Sequence, residues 1–312
     1  MATRAFTFPG QGSQAVGMGK DLAGAYPVAR AVFDEVDDAL GEKLSVLMFE
    51  GPDETLRLTD NAQPALMAVS MAVVRVLAEK GVPFGDFVAG HSLGEYSALC
   101  AAGTFGLADT ARLLRIRGRA MQQAVPVGQG AMAAVLGLDL PTTLAVAADA
   151  AQGEVCGVAN DNAPGQIVIS GHTAAVARAS ALAKERGAKR VLPLPVSAPF
   201  HCPLMRPAAD AMSEALAAVA MNPPRVPVVA NVLARPIRDP AEIRARLVEQ
   251  VTGMVRWTES IQWLAGEGNV ADFFELGAGR VLSGLARRMA PDATAASIGT
   301  PADVDAFVGS AS

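Results

Sequence analysis

Short apolar runs alternate with longer stretches of helical periodicity along most of the chain. Residues 5–8 and 87–90 are apolar runs that end at Pro or Gly, which predicts two buried strands. Helical spacing of apolar positions predicts helices at 28–40, 64–80, 93–101 and from a capping Asp109 to about 123. Later runs predict strands at 226–231 and 270–275. This alternation favours an α/β fold with a largely parallel sheet.

The middle of the chain shows a different order of elements. It predicts strand, helix, two strands, helix and strand, at 131–138, 141–151, 154–159, 166–170, 173–186 and 190–196. The order βαββαβ is the split βαβ, or ferredoxin-like, unit. We therefore expect a ferredoxin-like subdomain at 129–197, inserted between two parts of a larger domain, 1–128 and 198–312.

Composition narrows the class of protein. The chain has 312 residues, of which 51% are hydrophobic and 18% charged, so it is long and apolar enough to bury a core. A net charge of -5 without a basic run disfavours nucleic acid as a ligand. Three cysteines lack metal-ligand spacing, the N-terminus lacks a signal-peptide pattern, and the most apolar stretch is interrupted by Arg75. We expect a cytoplasmic protein that does not span a membrane.

A nucleophile motif lies between a predicted strand and a predicted helix. Gly90-His91-Ser92-Leu93-Gly94 fits G-x-S-x-G, a sharp turn that lifts a serine hydroxyl clear of the sheet. The free N–H of Leu93 at the start of the helix could stabilise an oxyanion. The pentapeptide alone is a weak signal, and its strand–helix context favours a catalytic Ser92.

Only three histidines could serve as the base for this serine. His91 should point away from Ser92 into the packing under the turn, and His172 begins a predicted helix, which indicates a capping or surface role. His201 lies in a loop after the last strand of the expected subdomain and is the remaining candidate. No acidic third member is evident, so a backbone carbonyl could orient the imidazole instead.

One arginine occupies an apolar position. In the helix at 109–123, the other arginines are expected on the face opposite Leu113, Ile116 and Met121, whereas Arg117 projects from the apolar arc. An unpaired buried guanidinium costs on the order of 3–5 kcal/mol. Arg117 therefore predicts an anionic partner, either a protein carboxylate or a substrate carboxylate bound in bidentate fashion.

The N-terminal glycines admit two interpretations. Gly10, Gly12 and Ala15 formally match the dinucleotide motif G-x-G-x-x-A. Pro9 and the absence of an acidic residue at a following strand end argue against it. The N–H of Gln11 could instead complete the oxyanion hole with Leu93.

The motifs together resemble the malonyl-CoA:acyl carrier protein transacylases over nearly the whole chain. The segments are FPGQGSQ (8–14), QPAL (63–66), GHSLGEYSAL (90–99), RGRAM (117–121), NxNxPGQxVISG (160–171), VSxPFH (196–201) and GxGxVLxGL (277–285). Two positions depart from the family pattern, Ala278 and Gly253-Met254, where relatives usually have Pro. We expect both to lie away from the chemistry and to affect only loop geometry, including the placement of Gln250.

The resemblance implies a fold and a set of roles. The fold would be an α/β-hydrolase-like core with a mostly parallel sheet and the inserted ferredoxin-like subdomain. Ser92 would form the acyl ester and His201 would be its base, oriented by the backbone carbonyl of Gln250. Gln11 and Leu93 would form the oxyanion hole, and Arg117 would pair with the malonyl carboxylate.

The implied reaction transfers a malonyl group from malonyl-CoA to the phosphopantetheine thiol of acyl carrier protein, for fatty acid biosynthesis. The mechanism would be ping-pong through a malonyl-Ser92 ester, without a cofactor. Phe200 resembles the malonyl-selecting form of its motif and would crowd a methyl branch. Because acyl carrier proteins are acidic, we expect docking near exposed basic residues, namely Lys189, Arg190, Arg280, Arg287 and Arg288.

Three other functions share parts of this pattern. A serine hydrolase or editing thioesterase would share Ser92 and His201 but release free acid. An inactive carrier-binding module is disfavoured by the intact nucleophile and base motifs. An acyltransferase that serves a polyketide synthase can hardly be separated from the fatty-acid enzyme by sequence.

Overall fold

The computed structural model describes residues 2–196 and 198–311. Ser197, which belongs to the VSxPFH motif and ends the expected subdomain, lies outside the described residues. Eleven strands are found in the described ranges: β1 (Thr3–Phe8), β2 (Phe87–Gly90), β3 (Gly130–Leu136), β4 (Cys156–Ala163), β5 (Gln166–His172), β6 (Arg190–Pro193), β7 (Val228–Ala230), β8 (Arg235–Ile237), β9 (Val255–Arg256), β10 (Val270–Leu276) and β11 (Thr294–Ile298).

The same ranges contain fourteen α-helices. They are α1 (Lys20–Ala25), α2 (Pro27–Leu40), α3 (Leu44–Glu50), α4 (Asp53–Leu56), α5 (Thr59–Glu79), α6 (Leu93–Ala101), α7 (Leu107–Gln123), α8 (Leu140–Ala151), α9 (Thr173–Glu185), α10 (Arg206–Ala217), α11 (Pro240–Thr252), α12 (Trp257–Ala265), α13 (Val281–Met289) and α14 (Pro301–Ala311). The α/β class expected from the sequence is confirmed.

The main sheet has six strands in the order β11-β10-β1-β2-β7-β8. All neighbours are parallel except β7 and β8. The carboxyl ends of β1, β2 and β7 therefore meet at one edge, where α/β sheets commonly place their ligands. Helices on both faces bury apolar side chains of these strands, Phe8 and Val88 on one face and Ala5 and Ala89 on the other.

The second sheet has the order β6-β3-β5-β4-β9. The pairs within β3–β6 are antiparallel, and α8 and α9 cover a separate apolar cluster that contains Val135, Ile169 and Val176. The last strand, β9, comes from Val255–Arg256 and pairs in parallel with β4. The sheet thus includes a strand from outside residues 129–197. The sequence analysis did not predict this strand.

Helix α5 matches the helix predicted at 64–80 but begins five residues earlier, at Thr59, and runs 21 residues to Glu79. Arg75 interrupts the apolar stretch without ending the helix, because its side chain is exposed while Val76 and Leu77 return to the core. The length and composition of α5 would suffice to cross a membrane, yet 78% of its most apolar window is buried inside the protein. It is the central helix of the core.

Several boundaries also differ from prediction. Asp109 does not cap α7, which begins at Leu107 after the N-cap residue Gly106; Asp109 lies in the first turn. Strand β6 ends at Pro193 rather than near 196, because Pro193 and Pro195 lack the N–H that a strand ladder requires.

The two faces of α7 were assigned wrongly at two positions. Arg115 is only 6% exposed and packs against the start of α5, where Asp60 lies 3.6 Å away, whereas Ile116 is 41% exposed. An arginine that has polar partners can be buried. The charge of Arg115 therefore did not indicate that its face of α7 is turned toward solvent.

Candidate active site

Ser92 lies at the sharp turn between β2 and α6. Its backbone is in a positive-φ conformation (φ 54°, ψ -109°), which non-glycine residues rarely adopt. A Cβ at Gly90 would lie 1.9 Å from the carbonyl oxygen of Gly94, and a Cβ at Gly94 would lie 2.2 Å from that of Phe8. Both glycines of the motif are therefore required by close backbone contact, as a nucleophile elbow demands.

His201 is hydrogen-bonded to the hydroxyl of Ser92, with Nε2 2.8 Å from Oγ. Its Nδ1 lies 2.8 Å from the carbonyl oxygen of Gln250 and 3.1 Å from that of Gly253. Because carbonyl oxygens only accept hydrogen bonds, Nδ1 carries the proton and Nε2 is free to accept the proton of the hydroxyl.

Gly253 thus contacts the candidate base. The expectation that the Gly253-Met254 departure lies away from the chemistry is wrong for Gly253, since its carbonyl helps to orient His201. The other departure, Ala278, lines a separate cavity that does not include Ser92 or His201.

The imidazole is held in its neutral form. His201 is 5% exposed, and burial lowers its pKa to about 3, with a smaller contribution from the nearby positive charge of Arg117. A neutral imidazole at neutral pH is the form that can accept a proton from a serine hydroxyl.

Arg117 projects from α7 into the same site and is 1% exposed. Its Nη1 donates to Oε1 of Gln63 (2.8 Å), and its Nη2 donates to Oε1 of Gln250 (2.7 Å) and to Oγ of Ser92 (3.1 Å). Among the residues that the structure describes, no carboxylate forms an ion pair with it. Within the described residues its hydrogen-bond partners are therefore neutral, and Glu95 acts on the guanidinium beside the candidate nucleophile only through space.

A cavity of about 250 Å³ opens in front of these groups. Gln11 and Leu93 line it, and their backbone N–H groups form no backbone hydrogen bond within residues 2–196 and 198–311. The side chain of Gln11 is turned to Thr59. A Cβ at Gly10 would lie 2.9 Å from Nδ1 of His91, so the N-terminal glycine loop packs directly on the elbow.

The comparison with known proteins identifies the family of the chain. The model of the family described as "Acyl transferase domain" matches residues 5–276. The chain belongs to the acyl transferase family. It is an acyltransferase, and the family resemblance inferred from its motifs is confirmed.

Individual relatives are similar over nearly their full length. The malonyl CoA-acyl carrier protein transacylase of Escherichia coli K12 is 47% identical over 301 residues, 96% of this chain and 97% of that protein. The transacylase of Bacillus subtilis 168, with the same name, is 50% identical over 290 residues, 93% of this chain and 91% of that protein.

Solved structures are similar as well. The acyl-carrier-protein-S-malonyltransferase of Bartonella henselae superposes with a TM-score of 0.96 at 56% identity and covers 99% of both chains. A malonyl-transacylase solved in complex with a type II PKS acyl-carrier protein gives a TM-score of 0.96 at 43% identity, covering 99% of this chain and 100% of that one.

The acyltransferase also contains a buried polar network that the sequence did not reveal. The side chain of Gln250 donates from Nε2 to the Ser92 carbonyl (2.9 Å) and to Oε2 of Glu95 (2.8 Å). Asn231 accepts a hydrogen bond from the N–H of Ser92 at 2.8 Å. Glu95 is 1% exposed, and burial raises its pKa to about 7. A charged residue on the otherwise apolar helix after the elbow was the one signal that could have indicated the network.

The other two histidines of the acyltransferase do not contact Ser92. Nε2 of His91 lies 2.8 Å from Oδ1 of Asn162, and the ring packs edge-on against Trp257, although it also forms part of the cavity wall. His172 is the N-cap residue of α9 without a side-chain cap; its Nδ1 accepts from the N–H of Val155.

The basic residues expected to dock a carrier lie outside the cavity wall. Arg287 donates to the carbonyl of Ala295, and Arg288 to that of Pro164. The five side chains, Lys189, Arg190, Arg280, Arg287 and Arg288, are exposed, and a docking role remains a prediction. The residues that the structure describes contain no group of three or more His, Cys, Asp or Glu side chains suited to a metal ion.

Proposed function

We propose that this acyltransferase moves a malonyl group from malonyl-CoA to the phosphopantetheine thiol of acyl carrier protein, through an ester on Ser92, in fatty acid biosynthesis. One observation carries the proposal: a buried guanidinium that forms no ion pair with a carboxylate in the described part of the chain lies 3.1 Å from the nucleophilic oxygen. The names of the relatives, which are malonyl transacylases and a malonyl-transacylase bound to a carrier protein, support the same substrates.

In the first half-reaction, the hydroxyl of Ser92 attacks the thioester carbonyl while Nε2 of His201 takes its proton. The oxyanion that forms accepts hydrogen bonds from the free N–H groups of Leu93 and Gln11, the first at the positive end of α6. The protonated imidazole then gives its proton to the departing thiolate of coenzyme A.

The second half-reaction repeats the chemistry in reverse. The carrier's thiol attacks the ester, His201 accepts its proton, and the oxyanion occupies the same hole. His201 then returns the proton to Oγ of Ser92 as the ester breaks. Because one base serves both steps, a ping-pong mechanism needs no second catalytic group.

Arg117 supplies selectivity for the malonyl group. Its neutral partners, Gln63 and Gln250, orient the guanidinium without neutralising it, so a substrate carboxylate can pair with it in bidentate fashion. An acetyl group would leave the desolvated cation without an anion, which disfavours that substrate. Phe200 lines the cavity next to His201 and would crowd a methyl branch on the acyl chain.

The proposal also includes the division of the chain into a core and an inserted subdomain. The order β3, α8, β4, β5, α9, β6 and the covering of one sheet face support a ferredoxin-like subdomain at 129–197. The parallel main sheet and the elbow support an α/β-hydrolase-like core formed by 1–128 and 198–312. Carrier docking at the basic residues, a cytoplasmic location and independence from cofactors stay predictions from the sequence.

The decisive experiment incubates the protein with malonyl-CoA, with and without holo acyl carrier protein, and quantifies malonyl-enzyme, malonyl carrier and free malonate. We expect a malonyl ester on Ser92 that disappears in Ser92→Ala and is discharged to the carrier. Free malonate as the main product would assign the protein as a hydrolase. Neither ester nor product would indicate an inactive carrier-binding module.

The substrate carboxylate is tested with Arg117→Ala. Removal of the guanidinium should lower malonyl transfer by about 100-fold or more, equivalent to about 3 kcal/mol, while acetyl transfer is kept or rises. Arg112→Ala, which removes an exposed arginine of the same helix, is the matched control and should change neither rate. Equal loss of both activities in Arg117→Ala would mean that the arginine only stabilises the fold.

A further inference from the structure

The side chain of Asn231 forms hydrogen bonds to the backbone on both sides of the nucleophile elbow. Asn231 directly follows β7, which pairs in parallel with β2, so the topology places it beside the residues that follow Gly90. Its Oδ1 accepts from the N–H of Ser92 at 2.8 Å, and its Nδ2 donates to the carbonyl of Gly90 at 2.7 Å. The side chain is 1% exposed, so water does not compete for either contact.

The backbone of Asn231 is fixed by other contacts. Its N–H donates to Oε2 of Glu95 (3.2 Å), and its carbonyl accepts from the N–H of Arg256 (3.0 Å). The position of the main chain at 231 therefore does not depend on the side-chain amide. The side-chain oxygen also accepts a longer hydrogen bond from Nε2 of Gln250 (3.4 Å), which itself donates to the carbonyl of Ser92, so the side chain acts on the elbow both directly and through Gln250.

The elbow needs such a restraint, because Ser92 has a conformation that non-glycine residues rarely adopt and that persists only when its surroundings impose it. Asn231 binds the N–H of Ser92, and the side chain of Gln250 binds its carbonyl at 2.9 Å. Oε2 of Glu95 accepts from the Gln250 side chain and from the Asn231 main chain, and so joins the two restraints.

We propose that Asn231 is a positioning residue for the acylation of Ser92 and that it acts through its side-chain amide. By binding the N–H of Ser92 it fixes the turn that keeps Oγ 2.8 Å from His201. It also leaves the next N–H, that of Leu93, as the donor that faces the cavity. The inference rests on the proposed role of Ser92 as nucleophile, but not on the identity of the acyl group.

The test uses an uncharged serine reagent, phenylmethylsulfonyl fluoride, which reacts with an activated hydroxyl and needs no contact with Arg117. We expect Asn231→Ala to lower the second-order rate constant for sulfonylation of Ser92 by at least tenfold, measured at a temperature where the variant is folded by circular dichroism. With malonyl-CoA, kcat should fall by a similar factor while KM changes little: no hydrogen bond among the described residues joins Asn231 to Arg117, and Gln250, which binds both, keeps its shorter bonds to Ser92 and Glu95 when the asparagine is removed.

The matched control is Ser97→Ala, which also removes a buried polar group next to the elbow. Ser97 is on α6, is 1% exposed, and its Oγ has no hydrogen-bond partner within the described ranges. Its sulfonylation rate should equal that of the wild type. If Asn231→Ala does not fold, Asn231→Ser, which keeps a hydroxyl but cannot reach both partners, replaces it and should show the same loss.

An Asn231 variant that is folded, melts at a lower temperature and reacts at the wild-type rate would overturn the proposal, because its role would then be structural only. The proposed function fails separately: a wild-type protein that is sulfonylated at Ser92 but takes up no malonyl group would refute malonyl transfer. The Asn231 comparison would remain valid in that case.

Discussion

Burial sets the protonation state of two residues on either side of Ser92. It lowers the pKa of His201 to about 3 and raises that of Glu95 to about 7. In both groups desolvation penalises the charged form; the positive charge of Arg117 adds to the lowering for His201 and opposes the raising for Glu95. Below neutral pH the positive charge of Arg117 is therefore the main fixed charge at the bottom of the cavity, which favours an anionic substrate.

The raised pKa of Glu95 predicts a pH-dependent stability. Between its ordinary pKa of 4.5 and its folded value of about 7, the native protein retains a proton that the unfolded chain releases. The wild type therefore loses stability as pH rises through this interval, whereas Glu95→Gln has no such titration. The difference in free energy of unfolding, variant minus wild type, should increase by up to about 3 kcal/mol from pH 4.5 to pH 8.

Urea denaturation of the wild type and Glu95→Gln at pH 4.5, 6 and 8 measures this difference. An amide oxygen at the same place can accept the hydrogen bonds that Oε2 now accepts, so the substitution isolates the charge. Glu54→Gln, at an exposed position, is the control. A difference for Glu95→Gln that is independent of pH would contradict the prediction.

The sequence singled out the candidate site residues more readily than the residues that position them. Ser92 has a local motif, His201 was reached by elimination, and Arg117 was visible as a cation at an apolar helical position; the structure brings all three together. Asn231 and Gln63 are neutral amides whose partners lie far away in the chain, so no periodicity or charge pattern singles them out. Their positions follow only from the tertiary fold.

At the scale of elements, the crossing of α5 and α7 determines where Arg117 lies. A Cβ at Gly118 would lie 2.4 Å from Cα of Asp60 and 2.7 Å from the carbonyl oxygen of Thr59. The two helices therefore touch through their backbones at this point. Any side chain at 118 must separate them, and the residue before it is the arginine of the site.

Gly118→Ala tests this crossing. We expect a loss of about 1–3 kcal/mol in free energy of unfolding from overpacking, together with a fall in malonyl transfer as Arg117 shifts. The measurements are urea denaturation and the transfer assay. Gly284→Ala on α13, where an added Cβ meets nothing within 4 Å, is the matched control and should be neutral or slightly stabilising. Wild-type stability and activity in Gly118→Ala would refute the close crossing.

Element boundaries were predictable where a local signal was strong. Strand β2 and helix α6 match their predicted ranges because Gly90 and the elbow separate them sharply. Helix α11 was missed despite a signal, since Asp239 accepts from the N–H of Glu242 in a side-chain cap followed by Pro240. Helices such as α1, which begins after Gly19 without a side-chain cap, lack a capping signal from which their start could be predicted.

At the scale of the whole molecule, the two sheets share a stretch of chain. Val255 pairs with β4 of the smaller sheet and is also buried in the apolar cluster behind the main sheet, beside Trp257. At the next residue, the hydroxyl of Thr258 donates to the carbonyl of Asp161 in β4. The order of elements predicted an insertion, but a two-residue strand from a distant segment has no pattern that could reveal this connection.

This shared segment predicts that both sheets unfold together. Trp257 and Trp263 pack behind the main sheet, so tryptophan fluorescence reports on that part, whereas far-ultraviolet circular dichroism reports on both. Urea transitions followed by the two signals should coincide within error, as for a two-state protein. A circular dichroism transition that extends beyond the fluorescence transition would show that the smaller sheet unfolds independently.

The orientation of His201 by main-chain oxygens has a consequence for how the site tolerates change. Every amino acid has a carbonyl group, so no point substitution at 250 or 253 deletes the acceptor itself, whereas a catalytic aspartate is lost in a single step. Gln250 therefore has separate roles: its main chain orients the imidazole, whereas its side chain binds both Arg117 and the carbonyl of Ser92. A substitution at 250 would change acyl preference and the restraint on Ser92 while the acceptor for His201 stays in place.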